Sequence, residues 1–222
     1  MADEPQVLDR VMTPRGELVL RRLGDDFELI SNGVFLMDTR DGRSERALVR
    51  EAVRRHPAPR RLLIGGLGVG FSLLEALEHP EVEQVVVVEI EQALVDWHAT
   101  YLRERTGSAL ADPRVQVVVA DVSDHLTASP AGYDAISLDV DNGPDWTVSV
   151  ENTGLYGEAG ITVCAGALAP GGVLAVWSAA PAPHYEQLLR QQLDDVQVVE
   201  IPAYVERSAP DVIFLGRRPR AA

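Results

Sequence analysis

Apolar positions along the chain follow two rhythms, which change near residue 60. From Glu17 to Met37 apolar and polar residues alternate, with turn-forming pairs at Gly24-Asp25 and Asn32-Gly33. This alternation is typical of a small antiparallel element of two or three strands. From Ser44 to His56 the apolar positions recur with helical spacing. This spacing predicts a surface helix that ends before Pro57.

After residue 60 short apolar runs alternate with helical stretches. The runs are uniformly apolar, as buried parallel strands are, and they cover Arg61–Ile64, Gln84–Val88, Val115–Val119, Ala135–Leu138 and Val173–Trp177. Helices are predicted at Phe71–Glu78, Gln92–Arg105, Val122–Ala128, Leu155–Leu168 and His184–Leu193. Two last runs, Val196–Ile201 and Val212–Leu215, suit an antiparallel closing hairpin. This order predicts an α/β fold with a doubly wound, Rossmann-like sheet over residues 61–222, preceded by a hairpin element and linking helix over residues 1–60.

Length and composition favour one main domain. The chain has 222 residues, of which 46% are hydrophobic, enough to bury one substantial core. No run approaches the roughly 20 apolar residues of a membrane span, and the acidic start lacks the layout of a signal peptide. We therefore expect a cytoplasmic protein with no membrane partner. The single cysteine, Cys164, lies in an apolar run and is expected to be a buried structural thiol.

Charge is concentrated in the second part of the chain. Residues 1–61 carry 12 arginines against 11 acids, whereas residues 62–222 carry 8 against 23. A strongly acidic field repels phosphate backbones and attracts cations, which argues against nucleic acid and favours a small cationic substrate. The alternative is that the charge serves solubility alone. The five histidines show no ligand spacing, so no metal is expected.

Candidate binding residues stand where the predicted parallel strands end, which is where open α/β sheets hold their ligands. Gly66, Gly68 and Gly70 follow the first strand and allow a ligand to approach bare backbone. Glu89 ends the second strand, where an acid can accept hydrogen bonds from ribose hydroxyls, and Asp121 follows the third. The alternative is that the glycines serve packing and the acids cap helices. Together the three loops predict a nucleoside site.

The fourth strand end is crowded with acids. Asp139 directly follows a buried strand, with Asp141, Asp145 and Trp146 next to it, and Trp177 ends the fifth strand. A carboxylate there can orient an amine and take its proton as the nitrogen attacks a carbon next to a sulfonium. The tryptophans suit the wall of a cation pocket. An Asx-rich turn with capping acids, and tryptophans that belong to the core, are the alternatives.

Several segments together resemble the spermidine synthase (polyamine aminopropyltransferase) family. These are the glycine segment Gly65–Gly70, VVEIE at Val87–Glu91, DPRV at Asp112–Val115, YDAISLD at Tyr133–Asp139, and LY followed by LAPGG at Leu155–Gly172. The resemblance implies a fold of the SAM-methyltransferase type, with S-adenosylmethionine (SAM) or decarboxylated SAM as co-substrate, and a homodimer. It places Glu89 on the ribose, Asp121 on the adenine amino group, and Asp139 at the position of the catalytic aspartate.

The chain departs from this family at the groups that grip the amine. Leu67-Gly68-Val69 lacks the aspartate of the family's glycine loop, and Asn142 stands where a second aspartate is expected. Glu45 and Arg46 replace a tyrosine and a histidine, and Trp177 replaces a glutamine. We expect a transferase that moves an aminopropyl-type group to a small amine. A SAM-dependent methyltransferase and a catalytically silent nucleoside-binding protein are the alternatives.

Overall fold

A small antiparallel sheet opens the computed structural model, which describes residues 4–129, 131–145, 154–202 and 209–220. Its strands β1 (Gln6–Thr13), β2 (Gly16–Leu23), β3 (Asp26–Ser31) and β4 (Val34–Asp38) pair in sequence order. The sequence predicted two or three strands starting at Glu17, so β1 was missed. This strand lies at the sheet edge with none of its residues fully buried, which weakens the alternation by which strands are recognised.

Seven strands form the main sheet, in the order β10-β11-β9-β8-β5-β6-β7. They are β5 (Arg61–Gly65), β6 (Gln84–Glu89), β7 (Val115–Val119), β8 (Tyr133–Leu138), β9 (Leu168–Ser178), β10 (Asp194–Ile201) and β11 (Asp211–Arg217). Strands β5 to β9 run parallel, and β11 is antiparallel to both of its neighbours. The doubly wound α/β fold and its closing hairpin are thereby confirmed. Strand β7 was expected to be buried, but it is the edge strand and Val119 is 44% exposed.

The helices are α1 (Arg43–Arg55), α2 (Phe71–Leu77), α3 (Gln92–Ala99), α4 (Arg103–Thr106), α5 (Val122–Ala128), α6 (Glu158–Ala167) and α7 (Pro183–Gln192). One continuous helix was predicted from Gln92 to Arg105, and this was wrong. The chain leaves the helix at Thr100, whose hydroxyl donates back to the Asp96 carbonyl at 2.9 Å. Leu102 then turns into the core, where it is 0% exposed. None of these described helices is long and apolar enough to span a membrane.

The small sheet is fastened to the main domain through α3. Trp97, which is 2% exposed, packs with Leu20 and Leu29 beneath the small sheet, and its indole N–H donates to Asp9 at 2.8 Å. Full burial of a large apolar side chain contributes about 1.5–3 kcal/mol. The expectation that Trp97 is a packing residue is confirmed. Cys164 is also buried as expected, at 1% exposure.

Helix α1 is joined to α2 by an ion pair whose carboxylate is buried and whose arginine is partly exposed. Glu75 of α2 is 3% exposed and accepts hydrogen bonds from the Arg50 guanidinium at 2.7 and 3.1 Å. A buried carboxylate needs such paired donors, because removal of one partner leaves an uncompensated charge. The pair fixes the start of α1, including Glu45, at the edge of a cleft in the main domain.

Candidate active site

A cavity of about 500 Å³ lies at the carboxyl ends of β5, β6 and β8, with strands β2 to β4 on its other side. Its volume falls within the range of about 300–1,000 Å³ that is usual for small-molecule sites. Four residues of the predicted nucleoside site line it, namely Gly66, Gly68, Glu89 and Asp121. Asp139, Asp141 and Trp177 line it as well. The fold therefore brings seven of the ten sequence-predicted residues to one cavity.

The glycine segment is shaped by close approaches on both sides. Gly66 has φ of 91°, and a side chain there would come within 2.1 Å of the Asp139 carbonyl oxygen. This residue must be glycine for the loop after β5 to contact the loop after β8. Gly68 has φ of 49°, and a Cβ atom on it would lie 2.5 Å from the Met37 sulfur. The space beside Gly68 is thus filled by the thioether of β4.

Gly70 lies outside the cavity lining, unlike the other two glycines. It precedes α2 with φ of 95°, and a Cβ atom there would meet Thr106 at 2.7 Å and the His98 ring at 2.9 Å. In this structure the third glycine makes room for α3 and α4. Its predicted contact with a ligand is not supported by its position.

Glu89 joins two loops. Its side chain is buried and accepts one hydrogen bond from the Leu67 amide and one from the Glu91 amide, each at 2.8 Å and each to a different oxygen. Burial raises the pKa of this carboxyl, while the two amides oppose the change. A carboxylate oxygen can accept more than one hydrogen bond. Glu89 can therefore hold the loops and still receive a ligand hydroxyl at each oxygen.

Asp121 caps α5, as the alternative interpretation of the sequence held. Its Oδ1 atom accepts hydrogen bonds from the amides of Ser123 at 2.7 Å and Asp124 at 3.2 Å. Its Oδ2 atom accepts none from the described residues. Capping fixes the orientation of the carboxylate. One oxygen is then available to the cavity that the residue lines.

Asp139 follows β8 directly, and the part of the chain that the structure describes provides no hydrogen bond or ion pair to its carboxyl. Burial raises its pKa well above the ordinary value, and the neighbouring Glu45 and Asp211 raise it further. The pKa of Glu45 is itself raised to about 7, first by burial, with Asp211 and Asp41 adding to the effect and Ser44 opposing it. These three acids, Glu45, Asp139 and Asp211, are called the carboxyl group cluster below.

Sequence reasoning missed two members of this cluster. Glu45 was noted only as a replacement, yet it occupies the 45, 48, 49 and 52 face of α1, whose other three positions are buried. An acid on an apolar helix face was a usable signal. Asp211 begins β11, 72 positions after Asp139, and no local pattern connects the two. In the described ranges no three His, Cys, Asp or Glu side chains are placed to hold a metal ion.

The remaining predicted residues are divided by position. Asp141 lines the cavity and accepts a hydrogen bond from the Asn142 amide at 2.8 Å. Trp177 lines it from β9. Burial raises the pKa of the nearby Asp211, and the Ser44 hydroxyl opposes this. Asp145 is exposed and outside the lining. Trp146 lies outside the described residues.

The first and third turns of the small sheet, at Pro14-Arg15 and Ser31-Asn32, close the cavity on one side. The Arg15 guanidinium donates to Glu91 at 2.7 Å and to the Ile90 carbonyl at 2.9 Å, while the Thr13 hydroxyl donates to Glu91 at 3.1 Å. Glu91 is 8% exposed, so these contacts are partly shielded from water. Charge-assisted hydrogen bonds in such surroundings are stronger than neutral ones. They tie the small sheet to the loop that carries Glu89.

The sheet order and the acids at its second and third strand ends define a Rossmann-like domain of the SAM-methyltransferase type. Residues 43–206 match the family model described as the spermine/spermidine synthase domain. The chain therefore belongs to the spermine/spermidine synthase domain family.

Individual relatives agree with this assignment. The chain is 36% identical over 169 residues to the polyamine aminopropyltransferase of Mycobacterium tuberculosis (strain ATCC 25618 / H37Rv). This match covers 74% of this chain and 31% of that protein. It is 34% identical over 128 residues to the polyamine aminopropyltransferase of Aeropyrum pernix, covering 57% of this chain and 40% of the relative. The chain thus matches between about a third and two fifths of these proteins' length.

Solved structures share the fold across almost the entire chain. Spermidine synthase from Thermotoga maritima superimposes with a TM-score of 0.82 at 19% identity, covering 97% of this chain and 74% of that one. A spermidine synthase in complex with the transition-state analogue AdoDATO gives a TM-score of 0.83 at 19% identity, over 97% and 75% of the two chains. At this identity the likeness concerns the fold.

Proposed function

We propose that this chain is a transferase that moves an aminopropyl-type group from decarboxylated SAM to a small amine acceptor. The observation that carries the proposal is one cavity with two different ends. Glu89, Asp121 and the glycine segment form one end, and Asp139, whose carboxyl has no ion-pair partner among the described residues, forms the other. Membership of the spermine/spermidine synthase domain family gives the chemistry that joins them.

The donor end suits a nucleoside. Glu89 presents two oriented oxygens, which match the two hydroxyls of a ribose, and Asp121 presents one fixed oxygen, which matches an adenine amino group. Gly66 and Gly68 bring bare backbone to the cavity wall. We assign these four residues to the donor, with SAM and decarboxylated SAM as the candidate co-substrates.

The acceptor end suits a cation. No arginine forms an ion pair with Glu45 or Asp139 among the described residues, so their charge is not neutralised by those parts of the protein. A positively charged amine would replace the missing partner, because an opposite charge nearby favours ionised carboxyls. Asp141 and Trp177 line the same cavity, and we assign them to the acceptor. Asp145 and Trp146, which come next in the sequence, we propose as further acceptor residues.

Asp139 is the proposed catalytic base. The acceptor nitrogen forms a bond to the carbon next to the donor sulfonium, the carbon–sulfur bond breaks, and a neutral thioether leaves. The nitrogen loses one proton, which passes to the Asp139 carboxylate. A raised carboxyl pKa narrows the gap to an alkyl ammonium, for which about 10.4 is the ordinary value. Orientation of the amine by the carboxyl supplies much of the remaining rate.

Methyl transfer from SAM is the second candidate, and one observation favours it. The glycine segment has no carboxylate that could bind the propylammonium group of decarboxylated SAM, and Met37 occupies the space beside Gly68. A third possibility, a nucleoside-binding protein without turnover, would retain Glu89 and Asp121 but need no buried Asp139. We further propose that the protein is cytoplasmic and works as a homodimer. Exposed apolar residues on the outer strands β1 and β4, such as Met12 and Phe35, support the dimer.

A two-way panel tests the proposal. The purified protein is incubated with SAM or decarboxylated SAM and with a series of monoamines, diamines and triamines. Methylthioadenosine and S-adenosylhomocysteine are then measured by chromatography. Methylthioadenosine formed only when an amine is present is the expected result. S-adenosylhomocysteine would establish methyl transfer, and nucleoside binding without either product would establish the silent binding protein.

A further inference from the structure

His98 is a buried titratable side chain with no part in the chemistry proposed above. It lies on α3, is 3% exposed, and its Nε2 atom is 2.9 Å from the Gly68 carbonyl oxygen. On the other side of the ring Nδ1 is 3.4 Å from the Thr106 hydroxyl. The same hydroxyl lies 3.1 Å from the Leu102 carbonyl oxygen, so its one proton can go to that carbonyl or to Nδ1. The ring is therefore enclosed by contacts on both nitrogens.

These contacts determine which nitrogen carries the proton. A carbonyl oxygen only accepts, so Nε2 must be the donor to Gly68. Burial lowers the pKa of His98, with the Gly68 carbonyl opposing the change, and this favours the neutral ring. The side chain is thus a neutral imidazole that donates from Nε2, which gives it one fixed orientation.

The carbonyl that His98 holds belongs to the glycine segment that lines the cavity. In a planar trans peptide the carbonyl and the next amide point in opposite directions, so a fixed Gly68 carbonyl also fixes the Val69 amide. Gly68 has φ of 49°, a backbone conformation that glycine adopts without the steric penalty that other residues have there. Because glycines can adopt several backbone conformations, this loop needs a contact from another element to hold a single conformation.

The packing around the ring agrees with such a role. Gly70 leaves space for the His98 ring, since a Cβ atom there would be 2.9 Å from it. Met37 closes the opposite side of Gly68. The segment is therefore held between β4 on one side and α3 on the other.

We propose that His98 is a positioning residue, which holds the glycine segment in the shape that receives the nucleoside donor. This inference rests on the proposed function for its ligand, but the contact that it assigns exists without one. Loss of a single hydrogen bond to a loop of this kind should weaken donor affinity about fivefold to tenfold. Acceptor binding should change less than twofold, because Asp139 and Glu45 do not contact the ring.

Two matched substitutions test this. Glutamine places its amide nitrogen near the position of Nε2, whereas the shorter asparagine does not reach Gly68. His98→Asn should weaken methylthioadenosine binding, measured by calorimetry, about fivefold to tenfold, and His98→Gln should restore most of it. Thr106→Val, which removes the contact at Nδ1 and keeps the one at Nε2, serves as the control and should leave the affinity within twofold.

Hydrogen exchange gives a readout that needs no ligand. The Gly70 amide donates to the Leu67 carbonyl at 2.9 Å, so its exchange reports the shape of the segment. In His98→Asn this amide should exchange faster while amides of β5 and β6 do not. Unchanged exchange at Gly70, or equal damage from the glutamine and asparagine variants, overturns the inference. A wild-type protein that binds none of the nucleosides would instead reject the proposed function, and the exchange comparison would still decide the role of His98.

Discussion

Replacement of Glu45 by glutamine should stabilise the protein at alkaline pH and weaken its hold on a cationic acceptor. Glu45 is a carboxyl group on the buried face of α1, next to two further acids. Burial raises its pKa from 4.5 to about 7, its own backbone amide and Ser44 oppose this, and Asp211 and Asp41 add to it. In the unfolded chain the side chain returns to an ordinary value of about 4.3. Folding therefore costs free energy whenever Glu45 must be ionised.

The sign follows from proton binding. Between about pH 4.5 and pH 7 the folded protein holds a proton on Glu45 that the unfolded chain has released. The unfolding free energy therefore falls as pH rises through this interval and is constant above it. The difference between 4.5 and about 7 corresponds to about 3 kcal/mol. Part of this belongs to the interaction with neighbouring acids, so we expect Glu45→Gln to gain about 1–3 kcal/mol at pH 8.5.

Urea denaturation of wild type and Glu45→Gln at pH 5.5, 7.0 and 8.5 measures this effect. The gain should grow by about 1–2 kcal/mol between the first and last pH values. Glu51→Gln on the same helix is the matched control, since Glu51 pairs with Arg54 and Arg55, and its loss should cost about 0–1 kcal/mol. A Glu45→Gln protein that is less stable than wild type at pH 8.5, or a gain that is the same at every pH, would refute the reasoning. The acceptor KM should rise in Glu45→Gln and not in Glu51→Gln.

Three further predictions concern the cavity. Glu89→Ala should weaken methylthioadenosine binding tenfold to a hundredfold, a loss of about 1.5–3 kcal/mol, because a charged hydrogen-bond acceptor is removed and the Leu67 amide loses its partner. Calorimetry measures this affinity, and an unchanged value would contradict the ribose assignment. Asp139→Asn should lower turnover by about 10² to 10⁴ with nucleoside affinity nearly unchanged, and full activity in a steady-state assay would exclude Asp139 as the base. Discrimination between decarboxylated SAM and SAM should be weak, because Met37 and not a carboxylate occupies the space beside Gly68. A preference of about a hundredfold in kcat/KM would mean that another acid, such as Asp141, binds the donor's amine.

The sequence predicted the central strands of the main sheet well because they are buried on both faces. Runs such as Gln84–Val88 have few alternative structures, and the observed β6 differs from that run by one residue. The helix break at Thr100 was not predictable, since Leu102 keeps the helical spacing of apolar residues and only the core shows that it turns inward. Gly70 was read together with Gly66 and Gly68, and its different role depends on a contact with His98, 28 positions away.

The carboxyl group cluster was harder to predict for the same reason. Asp139 could be placed by its strand alone, because a residue that ends a buried parallel strand reaches the ligand edge of the sheet. Glu45 and Asp211 reach it from a helix and an antiparallel strand that precede and follow the doubly wound core. A strand-end rule does not apply to either residue. The position of Glu45 depends on how α1 packs, and the pair of Arg50 and Glu75 joins that helix to α2.

The acids of this cavity are placed differently from those of the family that the sequence resembles, which has an aspartate in the glycine loop. A carboxylate side chain at position 68 would be strained, because it would have to adopt φ of 49° and would displace the Met37 sulfur, 2.5 Å from its Cβ atom. The acids that are present instead lie around Asp139, with Glu45 on α1 and Asp211 on β11. Acids are therefore gathered around Asp139, at the proposed acceptor end of the cavity, whereas the space beside Gly68 is taken by Met37. Under the proposed function, we expect such an arrangement to select the acceptor by its charge and the donor by its nucleoside, so that substitutions in one half of the site have little effect on the other.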